Sequence, residues 1–182
     1  MNYPILKIER LDYQTPLTDI YLFERVFVYS SKGLFGLIAD NFGSIIPPIY
    51  EEIFPAFDFH FWGRKNHKWK LYNFQNNVIN NTPFKAVSPF INGYSCASID
   101  GRTFGFINRK GDFIISPNYF GGQHLGNLIF AVKIKESKKK HRIIDRHENF
   151  ILSFEFNEIP TFTDVVVLIL KSRKPLREWL KL

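Results

Sequence analysis

The stretch "TFGFINRKGDFIISPNYF", residues 103–120, repeats the plan of "LFGLIADNFGSIIPPIY", residues 34–50. Each starts an apolar run with an aromatic residue and a glycine, passes through a polar turn, and continues through an apolar pair and a proline to a tyrosine. A repeat takes precedence over local readings, because missing it misassigns the architecture of the whole chain.

Two columns run through the 182 residues. The first is a bulky residue opening a strand, at Phe35, Trp69 and Phe104, with a degenerate counterpart at His141; the spacings are 34, 35 and 37. The second follows at Tyr50, Phe84, Tyr119 and Phe156, with Leu17 as a forerunner. Other positions keep step three residues further on, at Ile20, Ile53, Val87, Gly122 and Ile159, and then at Phe23, Phe57, Phe90, Leu125 and Phe162.

Each unit reads as three antiparallel strands. Strand A is an apolar run such as residues 26–30, 94–99 or 129–135. Strand B carries the first column and stops at "DNFG", "NFQN", "NRKG" or "DRHE", whose Asn, Asp and Gly supply turn conformations. Strand C is "SIIP", "VIN", "DFIIS" or "NFILS", and Pro47 and Pro117, which donate nothing to a ladder, close it in the first and third units. The expected fold is all-β: β-meander repeats of about 35 residues and about five units in one domain over residues 1–182. Its boundaries are a partial unit 1–23, units 24–57, 58–90, 91–125 and 126–162, and a partial unit 163–182. The C-terminal piece aligns as a strand A, a loop and a strand B. Pairing with the N-terminal piece would complete a fifth unit and a closed, propeller-like ring without sheet edges; an open curved stack is the alternative. Residues 175–182 also fit a helical face through Leu176, Trp179 and Leu180.

The strand B pattern, aromatic, glycine, apolar pair, Asp or Asn, then a turn, an apolar pair, Pro and an aromatic, resembles the WG (KWG) repeat of bacterial proteins. Phe35-Gly36 and Phe104-Gly105 stand where that family has Trp-Gly, Lys70 replaces the glycine after Trp69, and His141-Arg142 has lost both. The resemblance covers roughly residues 15–160. It implies repeated β structure and a binding or scaffold role, with no catalytic residues to transfer. Such repeats also resemble those of some proteins that bacteria use to neutralise toxins.

Direct searches for chemistry point the same way. "GGQHLG", residues 121–126, lacks the lysine and the strand-to-helix setting of a phosphate-binding loop and reads as a variable loop. His60 with His67, and His141 with His147, lack the converging partners a metal needs, so no metal or cofactor is expected. Asp40, Asn108 and Asp145 recur after strand B, which suits turn formation better than catalysis. The single cysteine, Cys96, reads as a buried structural thiol; with no internal disulfide and no signal-like N-terminus, a cytoplasmic setting is expected. The longest apolar run, residues 165–170, is far short of the roughly 20 residues that cross a bilayer.

The charge is more specific. Of the 24 Lys and Arg, 15 fall in three segments that span the A to B loops, among them Arg64, Lys65, Lys68, Lys138, Lys139, Lys140, Arg142, Arg173, Lys174 and Arg177. In a regular repeat these loops share one edge, so the ten residues are the candidate partner-binding rim. The formal net charge of +7 suits an acidic partner. The expected function is a non-enzymatic protein-binding module whose rim meets an acidic protein, a bacterial toxin among the candidates. The alternative is a nucleic-acid-binding protein, with Tyr29, Trp62 and Tyr94 as stacking platforms.

Overall fold

The structure, a computed structural model, describes residues 26–39, 44–134 and 140–171. The first sheet joins β1 (Val26–Ser31), β2 (Leu34–Ala39) and β3 (Ser44–Tyr50) in that order, and the second joins β4 (Glu52–Pro55), β5 (His60–Lys65) and β6 (Lys68–Asn73). The third has four strands: β7 (Ala86–Val87), β8 (Ser95–Ser98), β9 (Phe104–Ile107) and β10 (Phe113–Tyr119). The fourth joins β11 (Gly122–Gly126), β12 (Ile129–Lys133) and β13 (His141–Ile144), and a helix, α1 (Phe162–Lys171), follows. All neighbouring strands are antiparallel.

The two sequence columns are cross-strand partners. Phe35 pairs with Tyr50, Trp69 with Phe84, Phe104 with Tyr119 and His141 with Phe156. Between them sits one turn built three times. Asn73, Asn108 and Asp145 each accept, on the side-chain oxygen, backbone N–H groups two and four residues ahead. The residue third after each, Asn76, Gly111 or Glu148, has positive φ. An Asx side chain that fixes the turn explains why this position recurs.

The three-stranded unit needs enlarging. The link after the second column forms a strand, β4, β7 or β11, that pairs with the strand A following it, so the third sheet shows a four-stranded meander in full. "GGQHLG", expected as a loop, contributes β11. Strand C is regular only as β3 and β10; residues 78–80 and 149–153 hold isolated bridges, Tyr72 to Val78 and Ile144 to Phe150.

The glycine of the motif separates these cases. A Cβ at Gly36 would collide with the carbonyl oxygen of Ile46, and one at Gly105 with that of Ile115. At both places strand C bulges, with four residue steps from Ile46 to Tyr50 or Ile115 to Tyr119 facing two on strand B. Lys70 and Arg142 carry the Cβ that forbids this approach. There the path runs five steps, from Ile79, bonded to Leu71, to Phe84, and from Ile151, bonded to Ile143, to Phe156.

Alternation along each strand sends neighbouring side chains to opposite faces, and the core becomes a series of interfaces. Phe61 and Tyr72 of the second sheet pack with Val26, Val28, Leu37, Ile46 and Tyr50 of the first. Trp62, Leu71 and Phe84 face Phe90, Ala97 and Ile107. Phe106 and Ile115 face Phe130, Val132 and Ile144. Ile129, Ala131 and Ile143 face Val165 and Ile169 of α1. A hydroxyl joins the series wherever the second column is Tyr: Tyr50 donates to Asn76 Oδ1, and Tyr119 to Glu148 Oε2 at 2.9 Å. At Phe84 there is no hydroxyl, and the corresponding turn position is Gly111, with no acceptor.

The strand expected over the first part of residues 163–182 is corrected to a helix. Thr161 caps it: its N–H and hydroxyl donate to Asp164 Oδ2 at 3.0 and 2.7 Å, and its hydroxyl oxygen accepts the Asp164 N–H at 3.2 Å. That reciprocal pair is a capping box. Phe162, Val165, Leu168 and Ile169 then fall on one face and cover the fourth sheet. The fifth-unit ring loses the strand it required from these residues; the N-terminal partial unit and residues 172–182 lie outside the described residues.

Candidate interaction surface

Of the ten rim candidates, the structure describes five. Arg64 and Lys65 end β5 and Lys68 begins β6, joined by a two-residue turn, Asn66-His67, in which both residues have positive φ. Arg64 is committed locally: it bonds Glu51 at 3.2 Å and Glu52 at 2.8 Å, and its guanidinium lies 5.5 Å from the centre of the Trp69 ring. The Lys65 ammonium sits 4.2 Å from the centre of the Tyr50 ring, and burial lowers its pKa. Lys140 is half-exposed and 3.7 Å from Glu155. Arg142 covers the Phe150 ring at 3.9 Å. The candidates thus fall into one group on the β5–β6 hairpin and one on the fourth sheet. Lys138, Lys139, Arg173, Lys174 and Arg177 lie outside the described residues.

Counting acids only within the basic segments missed Glu51, Glu52 and Glu155. The register holds the missing signal, since Glu52 is the cross-strand partner of Arg64. Of the aromatic platforms, Trp62 is fully buried and stacks on Phe90 at 5.8 Å, so it presents no face to a base. Tyr94 is half-buried against His124 and Phe130.

The histidines differ in setting. His60 stacks on Phe57 at 4.5 Å and His67 is exposed beside Glu51. His124 and His141 are buried. Burial lowers the pKa of His60, His124 and His141. The Cys96 thiol is pushed up to about 11 by burial, against a hydrogen bond from the Gly122 backbone, and stays protonated at neutral pH.

A cavity of about 130 Å³ lies where the third and fourth sheets meet, lined by Ser88, Pro89, Ile91, Tyr94, Cys96, Phe106, Gly122, Gln123 and His124. No helix among the described residues is long and apolar enough to cross a membrane.

No curated protein matches the chain. Solved structures similar over part of their length include "KlHsv2 with loop 6CD replaced by a Gly-Ser linker" and "S. cerevisiae dbp5 l327v bound to nup159, gle1 h337r, ip6 and adp". The first has 15% identity and a TM-score of 0.48, with 75% of this chain and 51% of that chain covered. The second has 11% identity and a TM-score of 0.45, with coverage of 77% and 43%. The chain spans about half the length of the structures it matches. The WG-containing repeat family model matches residues 104–119, the segment from the start of β9 through its Asx turn to the end of β10.

Proposed function

We propose that the protein is a non-enzymatic β-repeat module that binds an acidic protein, with a bacterial toxin held inactive as the leading class of partner. Its units, of about 35 residues by their column spacing, form an open curved stack that α1 caps. The observation that carries the reading is one connection that the other units lack. β1–β2 and β5–β6 are joined by two residues and β8–β9 by five, whereas β12–β13 is joined by the seven residues "IKESKKK", 134–140. Residues that recur from unit to unit build turns and core; a longer, charged connection found in one unit has no such duty, and function concentrates in loops of this kind. The net charge of +7 adds long-range attraction for an acidic surface.

The same lysines would neutralise phosphates, so nucleic-acid binding is the second reading. Replacing Lys138, Lys139 and Lys140 together by Glu should leave the unfolding midpoint unchanged and weaken binding to the product of the adjacent gene by about tenfold or more. Unchanged affinity removes this connection from the account. Tight binding of a single-stranded oligonucleotide that collapses between about 50 and 200 mM salt would favour the second reading.

A further inference from the structure

Among the described residues, three arginines sit over aromatic rings. The guanidinium carbon of Arg64 lies 5.5 Å from the centre of the Trp69 ring, that of Arg109 5.0 Å from Phe57 and that of Arg142 3.9 Å from Phe150. A ring covers only the face of a guanidinium and leaves its in-plane N–H donors to find acceptors. Two of the three find them within the chain. Arg64 holds Glu51 at 3.2 Å and Glu52 at 2.8 Å, and Arg109 holds Asp58, next in sequence to its ring, at 3.3 Å. Arg142 makes the closest stack and pairs with no carboxylate among the described residues.

The fourth sheet shows why. The next three acids along the chain are engaged elsewhere. Asp145 accepts the His147 and Asn149 N–H groups at 2.8 and 2.9 Å, Glu148 accepts the Ser116 N–H and the Tyr119 hydroxyl, both at 2.9 Å, and Glu155 is held by Lys140 at 3.7 Å. Neither neighbour of Phe150, Asn149 nor Ile151, is an acid. Alternation along β13 puts Arg142 on the face of Ile144, whose cross-strand partner is Phe150, so the register itself brings the guanidinium to the ring. Phe150 is nonetheless 48% exposed. Arg142 Nε is buried without a partner; Nη1 and Nη2 are not, and they make no hydrogen bond to a described residue. The donors left to solvent are the terminal pair, a fork that matches the two oxygens of one carboxylate.

We propose that Arg142 and Phe150 form the anchor point of the acidic-partner interface: Nη1 and Nη2 take one Asp or Glu carboxylate of the partner, and the open part of the Phe150 ring takes an apolar side chain beside it. The inference rests on the acidic-partner reading and adds to it a contact of defined chemistry, next in sequence to the lysine-rich connection 134–140 but outside it. Lysines on a loop speed the encounter with an acidic surface. An arginine already set on a ring is the kind of group that holds what arrives.

The test uses the whole protein labelled with ¹⁵N-arginine. The probes are a capped hexapeptide that alternates Glu with Phe, the same peptide with Gln for Glu, and hexathymidylate. The Glu peptide should bind saturably, move the Arg142 Nη resonances, and bind about tenfold or more tightly than the Gln peptide, as hydrogen bonds to a charged group predict. Arg142→Gln should cut that preference by about tenfold, Arg142→Lys should restore only part of it because a point charge replaces the fork, and Phe150→Ala should weaken both peptides. No saturable binding of the Glu peptide, equal affinities for the two peptides, or a preference left whole in Arg142→Gln overturns the proposal. So does hexathymidylate binding more tightly than the Glu peptide through the same Nη resonances, which would make this a phosphate contact. A preference that survives Arg142→Gln but falls when Lys138, Lys139 and Lys140 are replaced by Glu would sink this contact and leave the acidic-partner reading standing; equal binding of the two peptides to the wild type counts against both. If a variant does not fold, an Nη shift with the Glu peptide and none with the Gln peptide supports the contact, and its absence overturns it.

Discussion

Gly105 shows how one missing atom shapes its sheet. A methyl there would overlap the Ile115 carbonyl oxygen and lie 2.9 Å from Phe113 Cδ1 and the Pro117 nitrogen, two of these three neighbours being backbone that cannot swing aside. Gly105→Ala should therefore cost about 1 to 3 kcal/mol, the usual price of overpacking, and loosen β10. Urea unfolding with amide exchange over residues 113–119 checks it. One extra residue between Ile115 and Tyr119, as in the second and fourth units, should restore part of the loss. A second contrast lies one position on. Phe104, though a column residue, is half-buried, whereas Phe106 is 2% exposed and packs against Phe130 at 4.7 Å. Phe106→Ala should cost about 3 to 5 kcal/mol and Phe104→Ala markedly less; equal losses would mean that Phe104 is packed as deeply as Phe106. The columns were legible because their members pair directly with one another. Which member is deepest was not, since depth depends on the sheet across the interface, and no column records that.

Among elements, α1 shows how a strong pattern hides a weaker one. Aligned on the repeat, "DVVVLIL" reads as a strand, and its β-branched residues support that reading. The helical evidence was in the same letters: "TFTD" is a capping box, and Phe162, Val165 and Ile169 recur at helical spacing. Packing on Ile129, Ala131 and Ile143 settles the competition in favour of the helix. Thr161→Ala should cost about 0.5 to 2 kcal/mol and speed amide exchange in residues 162–171 before the sheets open; exchange left unchanged would show that packing alone holds the helix. The links were harder. "EIFP", "AV" and "GQHLG" share no alternation, and they become strands because the following strand A presents a row of backbone groups to pair with. The cavity was illegible for a related reason, as His124 meets Ile91 from 33 residues away, across a sheet boundary.

Among the described residues, each interface is shared by two neighbours and none is common to all, so damage at one place spreads by adjacency. Acid is one such insult. His141 is 5% exposed, with neither ring nitrogen hydrogen-bonded, and it occupies the column that holds Phe or Trp in the other units. Burial chiefly, and the Lys133 charge, depress its pKa below the ordinary 6.5; burial does the same at His60 and His124. A depressed folded pKa means that the unfolded chain binds more protons near pH 6, so stability is complete above 6.5 and falls as pH drops through the folded values. Glu148 adds a later loss: burial raises its pKa, but hydrogen bonds from Ser116 and Tyr119 outweigh this, so the link to Tyr119 weakens as pH falls below 4.5. The urea midpoint should be level down to about pH 7 and then descend. His141→Phe should raise it by about 1 to 3 kcal/mol near neutrality and flatten the descent. A slope unaffected by that change would assign the acid sensitivity elsewhere.

The helix standing against the fourth sheet also bears on how the protein behaves in company. A surface contoured to accept one more blade is equally a socket for a neighbouring copy, and because the two ends of such a row differ, copies joined that way would grow into fibres that never close. α1 occupies that face of the fourth sheet with Phe162, Val165 and Ile169, so neither a further sheet nor a second copy can seat there while the helix is docked.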